Sequence, residues 1–522
     1  MFVRIHTATV RGIEAFPVRV EVNLASGLPA FAVVGLAQGS VREGRERVGA
    51  ALKNSGFGLP NRRITVNLAP ADVQKAGTAF DVPIAVGILA AAGAMPTGPL
   101  EQTGFVGELG LDGTLRPVPG VLSVALCCRD QGIDRLVVPP ENAGEARLVD
   151  GLEVITAADL RALLGGLMCE SDAHAVGCSP PDRQIFNSPG RPTVPGVSPT
   201  CDFDLRDVRG QETGRRAIEI AAAGGHNLLF VGPPGSGKTM LARRLPGLLP
   251  PLSKDEAIEV ARIHSVAGLL MGGDLPEHRP FRAPHHSVSY AGLNGGGTPL
   301  RPGELSLAHH GVLFLDELPE FRRDALEMLR QPLEEGCVRL SRAGQWVRFP
   351  ARVLLVGAMN PCPCGFHGDG SDRCCCDPAA IARYRGRVSG PLLDRVDLHV
   401  GLTSLTVEQM TRGRGGEASR VVAERVGDAR DRQLRRYAAH AGVFTNAGIP
   451  PGLVRRTVQA TEKALGLVGQ AFARSGLTAR GFDRVLRVAR TLADLDGADE
   501  VRAAHVAEAV QYRVPSSPSE DR

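Results

Sequence analysis

Residues 232–239 read Gly-Pro-Pro-Gly-Ser-Gly-Lys-Thr, and residues 312–317 read Val-Leu-Phe-Leu-Asp-Glu. The first string is a complete phosphate-binding loop, G-x-x-x-x-G-K-[ST], which needs a strand to deliver it and a helix to leave it. The second is a short apolar run ending in two acids, as expected of a buried strand whose tip faces a metal. Together they commit this part of the chain to a parallel α/β sheet with ATP and Mg²⁺ at its carboxyl edge. Gly232, Gly235 and Gly237 let backbone N–H groups converge on phosphate oxygens, where a Cβ would obstruct them. Pro233, Pro234, Ser236 and Met240 are the other contact candidates of the loop and the helix after it. Lys238 is placed to reach the β- and γ-phosphates, and the Thr239 hydroxyl to ligate Mg²⁺. Asp316 then lies beside the metal, and Glu317 is positioned to polarise the attacking water as a general base.

The rest of the composition mainly excludes. A chain of 522 residues has room for roughly two to four domains. No run of eighteen uncharged apolar residues occurs. The richest stretch, Val82 to Met95, is too short to cross a bilayer and reads as a buried helix. The N-terminus lacks a signal-peptide core, so the expectation is a cytoplasmic protein with no membrane partner. A net charge of +4 is too small to argue nucleic-acid binding by itself.

Three regions separate by composition. Residues 1–168 alternate strand-like runs (Val18–Leu24, Ile64–Leu68, Leu136–Val138) with helical ones (Ser40–Ser55, Asp81–Ala94, Val121–Gln131), which suggests an α/β or α+β domain. Residues 169–200 are Pro-, Ser- and Gly-rich and read as a linker. Residues 201–402 hold the nucleotide motifs, with strands expected at Asn227–Val231, Val312–Leu315 and Val353–Val356. Residues 403–514 are periodic, Arg- and Ala-rich helices, and 515–522 is a frayed tail.

A third strand, Arg-Val-Leu-Leu-Val-Gly-Ala-Met-Asn-Pro, ends at Asn360, where a polar tip can hold the attacking water or sense the γ-phosphate. That order resembles the AAA+ ATPases: loop, Asp-Glu, polar sensor, an Arg given to a neighbour, then a helical lid. The resemblance makes Arg395 the candidate arginine finger acting on the next subunit's ATP. It makes Arg480 the candidate second sensor, with Arg484 and Arg487 as rivals, and an Arg acting in trans implies a ring, expected to be a homo-hexamer. Upstream, Val208, Gly210 and Gln211 fit the segment that packs on the adenine.

Longer strings narrow the resemblance. RPFRAPHHSVSYAGLNGGG (279–297), PGELSLAHHGVLFLDELPEF (302–321), MNPCPCG (359–365) and ARYRGRVSGPLLDRVDLHV (382–400) resemble the ComM/YifB family of magnesium-chelatase-like AAA+ proteins. The resemblance covers essentially the whole chain. It implies an AAA+ core with a helical lid, preceded by a Lon-protease-like (ribosomal S5 domain 2-like) α+β domain. It also implies a hexameric helicase that drives branch migration in DNA recombination, working with recombination proteins during uptake of transforming DNA or repair. Two alternatives share the core: a magnesium-chelatase-like motor, and an unfoldase acting on a protein partner. Lon-type proteases place a nucleophilic Ser where this chain has Asp81, and no Lys follows Asp81 until Lys238, so proteolysis is not expected.

Two further features carry chemistry. Cys362, Cys364, Cys374 and Cys376 form two C-x-C pairs on the loop after Asn360, a candidate tetrahedral Zn²⁺ set with Cys375 as a spare. His367 is a substitute ligand, and a reduced metal-free loop or a redox pair is the alternative. Residues 337–351 alternate about an Arg-Ala-Gly tip and read as a β-hairpin. In ring AAA+ proteins of the chelatase and replicative-helicase branch, a hairpin here projects into the central pore. Arg339, Arg342 and Arg348 are then candidates for DNA phosphates and Trp346 for base stacking. The pairs His285-His286 and His309-His310 are not expected to bind metal, because adjacent side chains on an extended segment point to opposite sides.

Overall fold

The computed structural model describes residues 1–36, 39–75, 77–172, 203–270, 273–342, 345–405, 415–475 and 478–513. Most of the expected linker (169–200) and the tail (515–522) lie outside them, and so do the side chains of 342–345, Arg342 included.

Seven strands form one sheet among the described residues of the N-terminal region. They are β1 (Phe2–Arg11), β2 (Glu14–Ala25), β3 (Ala30–Val34), β4 (Arg63–Ala69), β5 (Thr103–Phe105), β6 (Arg135–Val138) and β7 (Glu153–Thr156), in spatial order β3-β4-β2-β1-β5-β6-β7. Strands β1 and β2 are a long antiparallel hairpin, paired from Phe2 with Asn23 to Arg11 with Glu14. Strands β1, β5, β6 and β7 run parallel. Helix α1 (Gly39–Asn54), helix α2 (Asp81–Ala91) and helix α3 (Val121–Asp130) pack against this sheet. Every residue of α2 is buried, which confirms the apolar stretch from Val82 as a core helix. A helix apolar all round finds partners on all sides only inside a core. No helix among the described residues is long and apolar enough to cross a membrane.

The second sheet is wholly parallel. Its strands are β8 (Leu228–Val231), β9 (Phe281–Arg282), β10 (Val312–Leu315), β11 (Leu354–Met359) and β12 (Leu398–Gly401), in spatial order β9-β10-β11-β8-β12. Strand β11, which ends just before Asn360, therefore sits between the phosphate-loop strand β8 and the Asp-Glu strand β10. All three deliver their C-terminal tips to one edge, where ligands bind in open α/β sheets. Beyond β12 the regular structure of the described residues is helical. Helix Ala479–Leu495 joins the core through His226, whose Nδ1 lies 3.1 Å from Asp397 Oδ2 and Nε2 2.7 Å from Thr491 Oγ1. Arg484 Nη1 donates to the other oxygen of Asp397 at 3.1 Å.

The two sheets share a packed seam. Helix Lys254–Ala267 opens with a capping box at Ser253 and Glu256 and lays one face on the N-terminal region. There Ser265 Oγ donates to Glu145 Oε2 at 2.5 Å, and Gly120 N–H donates to the Ser265 carbonyl at 3.1 Å. Arg262 and Ser123 both donate to the Ile13 carbonyl, at 2.8 and 2.7 Å. Ile13, at the turn between β1 and β2, is buried among Leu307, Leu313 and Val347 of the nucleotide region. Gly12 beside it has φ +67°, and a Cβ there would lie 2.7 Å from Val347 Cγ1. Gly132 has a similar φ of +71° with nothing within 4 Å of such a Cβ. Gly12→Ala is therefore expected to destabilise the protein by about 1–3 kcal/mol more than Gly132→Ala. Differential scanning calorimetry reads the difference, and equal losses would show that the seam yields freely.

Candidate functional site

The phosphate loop leaves β8 and enters helix Lys238–Arg244 with Gly235 and Gly237 at φ +78° and +88°. Open space lies where their Cβ atoms would stand, while a Cβ on Gly232 would lie 2.6 Å from the Leu402 carbonyl oxygen. The loop thus needs glycine for two reasons: conformation at 235 and 237, close packing at 232. Ser236 Oγ is buried without a hydrogen-bond partner, a polar atom that a phosphate oxygen would satisfy. Lys238 is buried, and its Nζ donates to the carbonyls of Gly232 (2.7 Å) and Pro233 (2.9 Å) and to Asn360 Oδ1 (3.0 Å). Burial lowers the Lys238 pKa below the usual lysine value. Asn360 and the loop lysine are thus joined directly, a contact the spacing of the motifs does not reveal.

Thr239 Oγ1 donates to Asp316 Oδ2 at 2.8 Å, and the Glu317 N–H donates to Asp316 Oδ1 at 2.9 Å. The hydroxyl and carboxylate that fit Mg²⁺ are already adjacent, so a cation between loop and strand tip needs no rearrangement of the backbone. Glu317 itself adopts φ +51°, unusual for a side-chain-bearing residue and typical of strained functional positions. That conformation aims its half-exposed carboxylate at the loop after β9, where His286 Nδ1 lies 3.1 Å from Glu317 Oε2. The His286 ring is held by His285, with centroids 4.0 Å apart, and by the edge of Phe321. The sequence carries no signal for this partner, because His286 and Glu317 lie on separate elements whose approach no local spacing encodes.

Gln211 also reaches the loop: its Nε2 donates to the Ser236 carbonyl at 3.0 Å and the Thr403 carbonyl at 2.7 Å. Val208 is buried, and Met240 on the loop helix is exposed. The arginines divide. Arg395 is buried and engaged on three sides, by the carbonyls of Arg330 (2.9 Å) and Pro391 (2.7 Å) and by Glu334 Oε1 (2.6 Å). It is not presented to solvent as an outward finger, because Glu334 supplies the counter-charge within the same chain. Arg484 is committed to Asp397, and Arg487 is half-buried. Arg480 is exposed at the start of its helix, which Thr478 caps. Of the three rivals, only Arg480 is left in solvent.

Residues 337–342 and 345–350 form the expected antiparallel hairpin, with 343–344 outside the described residues. Val338, Leu340, Val347 and Phe349 point into the core. The opposite face carries Arg339, Ser341, Trp346 and Arg348 in solvent, and Trp346 is 68% exposed. Arg339 and Arg348 stand directly opposite each other, a like-charge pair that costs stability unless an anion shares it. Glu335 neutralises part of that charge, 3.0 Å from Arg339. The hairpin also meets the N-terminal region, where Arg11 Nη2 donates to the Trp346 carbonyl at 2.8 Å.

His309 and His310 do not point to opposite sides, contrary to the expectation for an extended segment. His310 has φ +56°, which swings both rings to one side, with centroids 4.0 Å apart. Both Nε2 atoms reach Glu259 Oε2, at 2.9 and 3.0 Å. His309 Nδ1 accepts from the Arg352 N–H at 2.9 Å, so its Nε2 carries the proton and donates to Glu259. Burial drives the His309 pKa down to about 4, and the cluster works as a clasp between helix Lys254–Ala267 and the β10 entry. In the N-terminal region, Asp81 is buried against Arg47 (2.7 and 3.1 Å), an ion pair rather than a nucleophile.

Three family models match the chain. Residues 204–410 match "Magnesium chelatase, subunit ChlI", residues 20–142 match "Subunit ChlI of Mg-chelatase", and residues 416–513 match "Magnesium chelatase, subunit ChlI C-terminal". The YifB protein of Escherichia coli (strain K12) is 42% identical, covering 98% of this chain and 96% of its own length. The competence protein ComM of Haemophilus influenzae is 42% identical, covering 98% of this chain and 97% of its own length. The magnesium-chelatase 38 kDa subunit of Cereibacter sphaeroides is 27% identical, covering 58% of this chain and 88% of its own length.

Proposed function

This chain belongs to the ComM/YifB family of magnesium-chelatase-like proteins, and on that premise we propose that it is an AAA+ ATPase that drives movement on DNA. The observation that carries the ATPase reading is the cluster at the sheet edge, where Lys238, Thr239, Asp316, Glu317 and Asn360 converge from three adjacent strands. Thr239 and Asp316 would hold Mg²⁺, which would neutralise charge on the phosphates. Lys238 would hold the β- and γ-phosphates, and Asn360, bonded to it, would hold the attacking water or sense the γ-phosphate. Glu317 takes the proton of the attacking water. Arg480 reaches the nucleotide from the lid, and Arg395 completes the site of a neighbouring subunit once Glu334 releases it, which makes the working form a ring of six.

DNA as the load is supported by the relative named as a competence protein and by the hairpin face carrying Arg339, Arg348 and Trp346. Arg342, at the last paired position before the tip, remains a candidate whose side chain lies outside the described residues. The proposed organisation keeps a Lon-like N-terminal domain over residues 1–168, non-proteolytic because Asp81 is tied to Arg47, then a core and a helical lid. Its seam with the hairpin makes it a support for the DNA-contacting element. The chelatase-like alternative draws on the Cereibacter relative, which aligns with 58% of this chain. ATP hydrolysis measured with and without a four-way junction separates the readings: stimulation by DNA is expected, and turnover indifferent to DNA would favour a protein or metal-delivery load.

His286 shapes this chemistry. Its ring nitrogen, 3.1 Å from Glu317 Oε2, fixes the direction of the carboxylate and holds an oxygen otherwise free for the attacking water. His286→Ala is expected to raise DNA-free turnover several-fold with the KM for ATP little changed. Steady-state kinetics reads both constants, and a fall in kcat would show that the ring assists rather than restrains Glu317.

A further inference from the structure

Four thiols converge on the loop that follows β11. The Sγ atoms of Cys362, Cys364, Cys374 and Cys376 all lie within 4.8 Å of one another. Individual separations are 3.3 Å for Cys362–Cys364, 3.9 Å for Cys362–Cys374 and 3.7 Å for Cys364–Cys374. A tetrahedral zinc with Zn–S of about 2.3 Å requires S···S separations of about 3.8 Å. The two separations to Cys374 match that and Cys362–Cys364 is shorter, while a disulfide would need one pair at about 2.05 Å and leave two thiols over. Cys375, between two of the four, faces solvent.

The surroundings are those of a ligand set. Cys362 is fully buried and its Sγ accepts the His367 N–H at 3.3 Å. Such N–H donors orient a thiolate and offset its charge. Farther out, Arg373 stacks on Phe366 at 4.2 Å and pairs with Asp369 at 2.8 Å, closing the loop.

What this loop touches gives the cluster a role. Gly365 has φ +89°, and a Cβ there would lie 2.7 Å from Pro234 Cδ of the phosphate loop. Asn360, two residues before Cys362, accepts from Lys238. Arg385 Nε donates to the Pro361 carbonyl at 3.0 Å, pinning the start of the loop from outside. A few-residue segment therefore bears on both the phosphate loop and its lysine, with few apolar contacts of its own to hold it.

We propose that Cys362, Cys364, Cys374 and Cys376 bind one structural zinc ion, and that this ion braces the phosphate loop and Asn360. The bracing half rests on reading residues 232–239 as the ATP site; the zinc half does not. The test is metal analysis of the purified full-length chain together with binding of a fluorescent ATP analogue. About one zinc per chain is expected, retained by Cys375→Ser and by Lys238→Ala, and lost in Cys362→Ser and Cys374→Ser. Cobalt(II) exchanged into the wild type should give the visible bands of tetrahedral thiolate coordination, which reports on the site in a folded protein. Zinc-free protein, bound iron, or zinc retained in Cys374→Ser would overturn the metal site. The zinc-free variants, and wild type stripped by a chelator, are expected to bind the analogue at least tenfold more weakly. Unchanged binding after zinc loss would overturn the brace, and loss of binding in Lys238→Ala alone would confirm the ATP site while rejecting it.

Discussion

Glu317→Gln is expected to lower ATP turnover by roughly 10²–10⁴-fold while leaving ATP binding intact, the usual weight of a positioned general base. The substitution keeps the shape of the side chain and the φ of +51° that aims it. It leaves Lys238, Thr239 and Asp316, which hold the phosphates and the metal, untouched. Asp316→Asn should behave differently, because one oxygen accepts from Thr239 and the other from the Glu317 N–H. Replacing it weakens the cation site itself, so the concentration of Mg²⁺ needed for half-maximal activity rises. Single-turnover hydrolysis beside equilibrium binding distinguishes the two. A loss of less than tenfold in Glu317→Gln would remove Glu317 from the proton-transfer step.

Replacing both Arg339 and Arg348 by alanine is expected to reduce the dependence of DNA affinity on salt. Two phosphate contacts fewer per protomer lower the slope of log K against log salt by about 1.4 on single strands and about 1.8 on duplex. Trp346→Ala acts on another term, costing about 1–3 kcal/mol of single-strand affinity if a base stacks on the exposed indole. Its effect should survive high salt, where the arginine contribution fades. Neither change should disturb folding, since all three side chains stand on the solvent face while Val338, Leu340, Val347 and Phe349 hold the hairpin down. Fluorescence anisotropy over a salt series gives both numbers. A double variant with the wild-type slope would remove the hairpin from the DNA path.

Elements whose own residues set their state were legible in the sequence. The buried helix from Asp81, strands β8, β10 and β11, and the hairpin at 337–350 all fall where apolar periodicity and turn chemistry place them. So does the approach of the four cysteines, because a short loop cannot carry them far apart. Contacts that depend on a third element were not legible. The His286–Glu317 pair joins two strand ends, and its sign as a clasp or a ligand depends on a ring orientation no spacing encodes. The Glu334–Arg395 pair hides a guanidinium that the local sequence presents as free. His309 and His310 point the same way because one residue takes a left-handed conformation that single-sequence reading assigns to glycine or asparagine. The seam is the extreme case, with Arg11 meeting the Trp346 carbonyl across 335 residues.

The central claim is that ATP spent at Lys238 and Glu317 moves DNA past the hairpin. The most direct measurement is conversion of a labelled four-way junction to its products by the full-length protein, compared with Glu317→Gln and with the Arg339→Ala, Arg348→Ala double variant. The account predicts ATP-dependent conversion by the wild type and none by Glu317→Gln. It predicts strongly reduced conversion by the double variant, whose DNA-free ATPase should remain at the wild-type level. A wild type that hydrolyses ATP yet leaves the junction intact would contradict the account and return the protein to the chelatase-like or unfoldase readings.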